Sequence, residues 1–325
     1  MRLRTLGLLG VVSGILTLVV IALISNPWQS LGSADLLVLS VAASLYGGSC
    51  FLWSAVWTHV ARKHTTGVNR STALGVSMAS MVGMLTPLNV GTDVLRSVYG
   101  KRSLGMDYPL TAAASVVTRT LRLHVTLTFS ALALATALLF PLNLVKYLVL
   151  SILVTLLLLA AFYSLRTQAS GRLSARLGIG DIAVPIAASL TKLGHIERGM
   201  IYVVFTVGFT LEWLSLHLCL LGLGVMMPVA DTLVLFTLLY FLSRSVPTPQ
   251  GFGAVEASGA AVLSTTNLGV GEVGAFLVAW DCVRVGVPVG LALVFSLGMP
   301  GFGKASEGRS AFRFGVRRGR SRRTA

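Results

Sequence analysis

Thr86-Pro87-Leu88-Asn89-Val90-Gly91-Thr92-Asp93-Val94-Leu95-Arg96 and Pro247-Thr248-Pro249-Gln250-Gly251-Phe252-Gly253-Ala254-Val255-Glu256 interrupt two otherwise apolar parts of the chain with the same kinds of residue. Placing Thr86-Pro87 on Thr248-Pro249 gives an offset of 162 residues (248 − 86), which carries Gly91 onto Gly253 and Arg122 onto Arg284. Asp93 and Glu256 follow, one register apart. Proline removes a backbone donor and clashes with the preceding helical turn, while glycine opens conformations closed to other residues. Lipid cannot satisfy the backbone groups so freed, and such a stretch persists only inside protein or beside water. A pair of them in corresponding halves points to a transporter-type binding site; the alternative is a coincidence of two ordinary proline kinks.

Outward from these breaks the chain is that of a membrane protein. Of its 325 residues 54% are hydrophobic and only 11% charged, against about 25% charged in a soluble domain, and the mean hydropathy is +0.82. Apolar runs near the roughly 20 residues that a bilayer requires recur along its length. Spans are expected at 5–25, 36–60, 123–140, 146–164, 200–222, 228–243, 252–267 and 273–298. The first follows Arg2 and Arg4 but is long for a signal peptide and lacks a small-x-small cleavage site, so it reads as a retained span. Cys50, Cys219 and Cys282 form no CxxC pair, and His59 and His64 are badly spaced for a shared metal. No disulfide framework, metal or cofactor is expected.

The net charge of +15 is concentrated at one end, where 301–325 holds Lys304, Arg309, Arg313, Arg317, Arg318, Arg320, Arg322 and Arg323 against Glu307. Without a nucleic-acid-binding fold or interleaved aromatics, this stretch reads as a disordered basic tail lying against anionic headgroups. It follows a single transmembrane domain over 1–300. Arg62, Lys63, Arg70, Arg96, Lys101, Arg102, Arg166, Arg172, Arg176, Lys192 and Arg198 mark one side of the membrane, whereas 26–35 carries no Lys or Arg; Lys146 is a weak exception. This asymmetry puts both termini in the cytoplasm. It also requires 72–95 to be a re-entrant hairpin turning at Thr86-Pro87-Leu88-Asn89, because a full crossing would export a basic cluster. The second break is expected to be a half-broken crossing, and 165–199 to hold an interfacial helix. The expected fold is all-α and polytopic, with re-entrant segments broken at Thr86, Pro87, Gly91, Pro247, Pro249, Gly251 and Gly253, and with room for an inverted repeat.

Charge recurs where it is costly. Asp93, Arg96, Arg119, Arg122, Glu212, Arg244, Glu256, Asp281 and Arg284 lie within or beside apolar segments, at about 2.5–3.5 kcal/mol each near a bilayer centre. Asp93–Arg96 and Asp281–Arg284 stand one helical turn apart and can pair directly. Arg119 and Arg122 share a helix face without a local acid, and so need Glu212, Glu256 or a phosphate. Helices beginning after Pro87 and Pro249 would present free N–H groups to the breaks. With arginines, whose planar forks suit phosphate, they describe an anion site at membrane depth. Arg96, Arg119, Arg122 and Arg284 are its candidate ligands; Asp93, Glu212, Glu256 and Asp281 are its supporting charges. The alternative is a set of packing salt bridges.

Gly91-Thr92-Asp93-Val94-Leu95-Arg96 after a Thr-Pro break resembles the P…GG(D/E)xxR signature of the flippase-like family, the transmembrane region of lysylphosphatidylglycerol synthetases and their stand-alone relatives. Pro247 to Glu256 resembles its second signature, PtPGGxGxxE, and Arg119 and Arg284 stand where that family carries arginines after each. The resemblance runs over most of 5–298. Thr92 and Gln250 replace glycines, and Thr118 stands where an acid is common. No aminoacyl-transferase domain accompanies these segments, so the resemblance implies lipid handling and gives no support for lysine transfer.

The leading expectation is a plasma-membrane protein that binds an anionic phospholipid or a polyprenyl phosphate and moves it between leaflets, as a monomer or a homo-oligomer, with no nucleic-acid partner. The alternatives are a membrane enzyme or subunit of polyprenyl-phosphate glycolipid or aminoacyl-lipid synthesis, for which no DxD or acid cluster is visible, and a small-solute transporter. A cysteine at Ser33 should react with an impermeant thiol reagent in intact cells and one at Ser170 should not; external labelling at Ser170 would overturn the topology.

Overall fold

A computed structural model describes residues 12, 16–17, 19–63, 67–86, 89–139, 193–245, 248–266 and 268–298, and among them all regular structure is helical. Helix α1 (Trp28–Gly32) is short. It precedes α2 (Leu36–Arg62), which begins where the Asp35 carboxylate accepts from the N–H groups of Leu37 and Val38, satisfying two of the donors a helix start leaves free. Then follow α3 (Arg70–Ala79), capped by Asn69 and continued by a 3₁₀ segment (Ser80–Leu85), and α4 (Val90–Leu104). Helices α5 (Tyr108–Leu139), α6 (His195–Gly222), α7 (Val229–Ser245), α8 (Ala254–Leu263) and α9 (Val270–Gly298, with a π-helical turn at Cys282–Gly286) complete the described residues.

Among the described residues, α2, α6 and α9 are long and apolar enough to cross a membrane. Helices α2 and α6 form the central pair. Gly208 lets the Trp53 ring approach the α6 backbone, where an added Cβ would stand 3.2 Å from it, and the Ser215 hydroxyl donates to Ala42 O at 2.7 Å. Close backbone approach and interhelical hydrogen bonds of this kind replace the hydrophobic drive that lipid does not supply.

The first break is the tip of an antiparallel hairpin. Ser77 meets Arg96 and Gly83 meets Gly91 across it, and Thr86 joins the arms by donating to Gly83 O (2.8 Å) and accepting from Gly91 N (2.7 Å). A Cβ on Gly83 would lie 2.2 Å from Gly91 C, so the arms touch backbone to backbone. The second break is also a hairpin tip, between α7 and α8. Gly251, at φ +72, packs on Ser243, whose Cα would be 2.6 Å from an added Cβ, and Gly259 packs beside Leu239.

Two expectations need correction here. The apolar run from 252 does not form a half-broken crossing that ends at 267: α8 stops at Leu263, the chain turns through 264–266, and α9 comes back along it, Gly259 against Leu277. The helix expected from 123 starts at Tyr108; Thr118, Arg119, Thr120 and Arg122 dilute the apolar signal of its first half. The span 146–164, most of the loop 165–199, the tail 301–325, Pro87 and Pro247 lie outside the described residues. Of the first span, 19–25 is helical.

The turns sort to two ends of the bundle. Asp35 N donates to Gly222 O at 2.7 Å and Gly271 packs on Ser25 and Asn26, so 26–35, 223–228, 264–266 and 268–269 share one end. None of these turns contains Lys or Arg. At the other end Lys63 pairs with Glu197 at 2.5 Å, beside His59.

Gly83→Ala should lower stability by about 2–3 kcal/mol, since neither backbone can give way, whereas Gly290→Ala, with no atom within 4 Å of the new Cβ, should stay within about 0.5 kcal/mol of the parent. Thermal unfolding in detergent micelles measures both.

Candidate functional site

Each break exposes a carbonyl at its tip, and an arginine from a later helix takes it. Asn89, with φ 55, turns its carbonyl to Arg119 Nη2 (2.8 Å). The same guanidinium reaches Asp93 in the first turn of α4 at 2.5 Å. At the second break Gln250, with φ 51, offers its carbonyl to Arg284 Nη1 (2.6 Å), and Arg284 also binds Glu256 in the first turn of α8. Asn89, Asp93 and Arg119 therefore stand to the first break as Gln250, Glu256 and Arg284 do to the second. The sequence offset of 162 pairs Arg284 with Arg122; in three dimensions its counterpart is Arg119, one turn earlier.

The two devices differ in charge. At the first break two arginines share one acid, for Arg96 stands 3.7 Å from Asp93 and also donates to Ser77 (3.1 Å). At the second, two acids share one arginine, since Arg284 Nε binds Asp281 at 2.5 Å as well. The π-helical turn that carries Arg284 aims it at the Gln250 carbonyl. Arg284, Asp281 and Glu256 are all buried, and Asp281 Oδ2 has no hydrogen-bond partner.

Beside the first break lies a cavity of about 390 Å³, lined from α2, the first hairpin, α5, α6, α7 and α9. Arg96, Arg119, Arg122 and Arg244 face it, with Asp93 and Glu212 as its acids and Tyr46, Trp53, Met81, Met84, Phe205 and Tyr240 among its apolar walls. Arg122 lies 3.7 Å over the Trp53 ring and donates to Glu212 Oε1 at 3.2 Å. That same oxygen accepts from Trp53 Nε1 (2.6 Å) and Ser49 Oγ (2.9 Å), so Glu212 is both paired and hydrogen-bonded, as a buried charge must be. The Arg119 side chain is 47% exposed and marks the open edge of the chamber.

Arg244 enters from the end of α7. In the amide orientation that satisfies both of its ends, Asn89 donates to Met84 O (2.7 Å) and accepts from Arg244 Nη1 (2.6 Å). The tips of the two hairpins are thereby tied together. A much smaller void, lined by Tyr46, Glu212, Tyr240, Arg244, Gln250, Trp280 and Arg284 among others, lies between the chamber and the second break.

Of the residues singled out in the sequence, Arg96, Arg119, Arg122, Asp93 and Glu212 therefore meet at the chamber. Arg284, Asp281 and Glu256 form the separate triad, with Arg284 alone reaching the small void. Thr86, Gly91, Gly251 and Gly253 shape the two turns, and Pro249 is buried without lining the chamber. Sequence reasoning did not find Asn89, Trp53 or Tyr240, and it left Arg244 out of the site. Arg244 and Asn89 did carry a signal, their position at the edge of or inside a break; Trp53 and Tyr240 look like any aromatic in an apolar helix. Among the described residues no group of three His, Cys, Asp or Glu could hold a metal ion.

A helical, multi-pass membrane protein with an arginine-lined chamber at the tip of a broken hairpin is the class that this fold and site define. The chain belongs to the family of the lysylphosphatidylglycerol synthase TM region, whose profile matches residues 7–292, which ties it to lipid metabolism. No curated protein and no solved structure matches it.

Removing Arg284 alone, as Arg284→Met, leaves two buried carboxylates facing each other and should cost about 3–5 kcal/mol, whereas replacing Arg284, Asp281 and Glu256 together by apolar residues of similar volume should restore most of that stability. Denaturant unfolding of the two variants decides whether the triad is a packing device.

Proposed function

We propose that this protein binds the phosphate of an anionic lipid in the chamber beside the first break and carries the headgroup between leaflets. The observation that carries this reading is the excess of guanidinium over carboxylate groups in a chamber walled by aromatic and methionine side chains. Arginine forks donate paired hydrogen bonds to phosphate oxygens, and apolar walls strengthen such contacts by excluding water. The exposed face of Arg119 supports entry of a headgroup from that side. Arg119, Arg122 and Arg96 are the phosphate ligands in this proposal, with Arg244 joining them; Asp93 and Glu212 hold the guanidinium groups in position. Arg284, with Asp281 and Glu256, pins the second break.

Hairpins that run in from opposite ends of the bundle and meet through Asn89 and Arg244 support an inverted repeat, the architecture on which alternating access is commonly built. The end of the bundle rich in Lys and Arg is the cytoplasmic one in this reading, by the positive-inside rule, with the protein in the plasma membrane and its basic tail against anionic headgroups.

Transfer of a fluorescent anionic phospholipid in reconstituted vesicles, followed by quenching of the outer leaflet with an impermeant reductant, tests the proposal. Wild-type protein should make the inner-leaflet pool accessible, and Arg119→Gln should slow this by about 10²-fold, as expected if two charge-assisted bonds are lost at roughly 1.5 kcal/mol each. Vesicles in which wild-type protein leaves the inner pool protected would overturn translocation.

A further inference from the structure

The chamber's charges do not balance. Four guanidinium groups line it against two carboxylates, a net formal charge of +2 (4 − 2). Glu212 is taken by Arg122, and Asp93 is shared between Arg96 and Arg119. Among the described residues Arg244 has no carboxylate partner; it rests on the Tyr240 ring, 5.3 Å from its centroid, and on the Asn89 amide. The Nε–H groups of Arg96, Arg122 and Arg244 and the Oδ1 of Asp93 are buried without a hydrogen-bond partner, and Arg96 is itself only 8% exposed. Unclaimed charge-bearing donors inside an apolar wall are costly, and native structures keep them where something else completes them.

We propose that the chamber takes a phosphate monoester dianion, a terminal phosphate rather than the phosphodiester of a glycerol-type headgroup. This rests on the reading of the chamber as a lipid-phosphate site and specifies its ligand. A phosphodiester carries one negative charge and two non-bridging oxygens, leaving one positive charge of the lining unanswered. A monoester carries about −1.5 to −2 at neutral pH and three strong acceptor oxygens. It matches the net charge of the lining. Arg244 is the residue that sets the preference, because it supplies the positive charge that no local carboxylate answers. The same chemistry is offered by a lipid ending in a phosphate monoester and by free phosphate.

Binding to the full-length protein in zwitterionic micelles, read by intrinsic tryptophan fluorescence, compares three probes: dioctanoyl phosphatidic acid, dioctanoyl phosphatidylglycerol and inorganic phosphate. Phosphatidic acid should bind at least about tenfold more tightly than phosphatidylglycerol, the difference that one charge-assisted hydrogen bond supplies. Arg244→Gln should bring that ratio close to unity. Thr118→Asp, which lowers the chamber charge by adding an acid to its lining, should do the same by another route and serves if the Arg244 variant does not fold. Equal affinities for the two lipids in the wild-type protein, or an undiminished ratio in both variants, would overturn the dianion assignment while leaving a lipid site intact. Inorganic phosphate binding as tightly as phosphatidic acid would support the dianion and overturn the lipid source. Failure of all three probes to bind would overturn both readings.

Discussion

A guanidinium group does not shed its proton to escape an apolar surrounding, so each one carried into this bundle must be met by carboxylates and carbonyls. The rest of the structure depends on that requirement. The breaks in two helical hairpins leave tip carbonyls that lipid could not satisfy; the arginines need acceptors that the helix interiors do not offer. Arg119 meets Asn89 O and Asp93, and Arg284 meets Gln250 O and Glu256. Each difficulty resolves the other. The pairing fixes where α5 and α9 pass relative to the breaks, and with them the position of everything that lines the chamber.

The same device serves two ends because its charge ratio differs. At the second break Asp281 adds another carboxylate to Arg284, and the group is buried. At the first break Arg96 adds another arginine to Asp93, and Arg122 and Arg244 bring more from α5 and α7. One break is thereby left with an excess of carboxylate and the other with an excess of guanidinium. Trp53 shapes the electropositive side by stacking under Arg122 while its own N–H goes to Glu212, which aligns the guanidinium and its counter-ion together. In the function proposed, the buried triad is scaffold and the electropositive chamber is the site.

Much of this was legible in the chain. Apolar runs announce helices, and two Thr-Pro-containing interruptions announce where they break, because proline and glycine act through local sterics that do not depend on tertiary context; that the second break is a hairpin tip and not a half-broken crossing came only from packing. The charges of the site were legible for a similar reason: an arginine in an apolar helix is conspicuous wherever it points. Less visible were residues whose role comes from orientation. Trp53 and Tyr240 have the composition of lipid-facing aromatics and became chamber walls through the packing of α2 and α7 against α5. The start of α5 at Tyr108 was hidden because its functional residues lower the hydropathy by which a span is recognised.

The sequence by itself determined that the protein is a helical membrane protein, where its helices break, and which charged residues lie in apolar segments, since each of these follows from composition and local backbone chemistry. Only the tertiary structure decided the partners. Asp93 has Arg96 one turn away on its own helix, yet its close contact is Arg119 on α5. Arg284 joins the second break and leaves the chamber to Arg244. The physical reason is that an ion pair is chosen by distance and direction in three dimensions. A shift of one helical turn, from Arg122 to Arg119, is invisible in a sequence offset but moves a guanidinium by about 5 Å, enough to change every contact it makes.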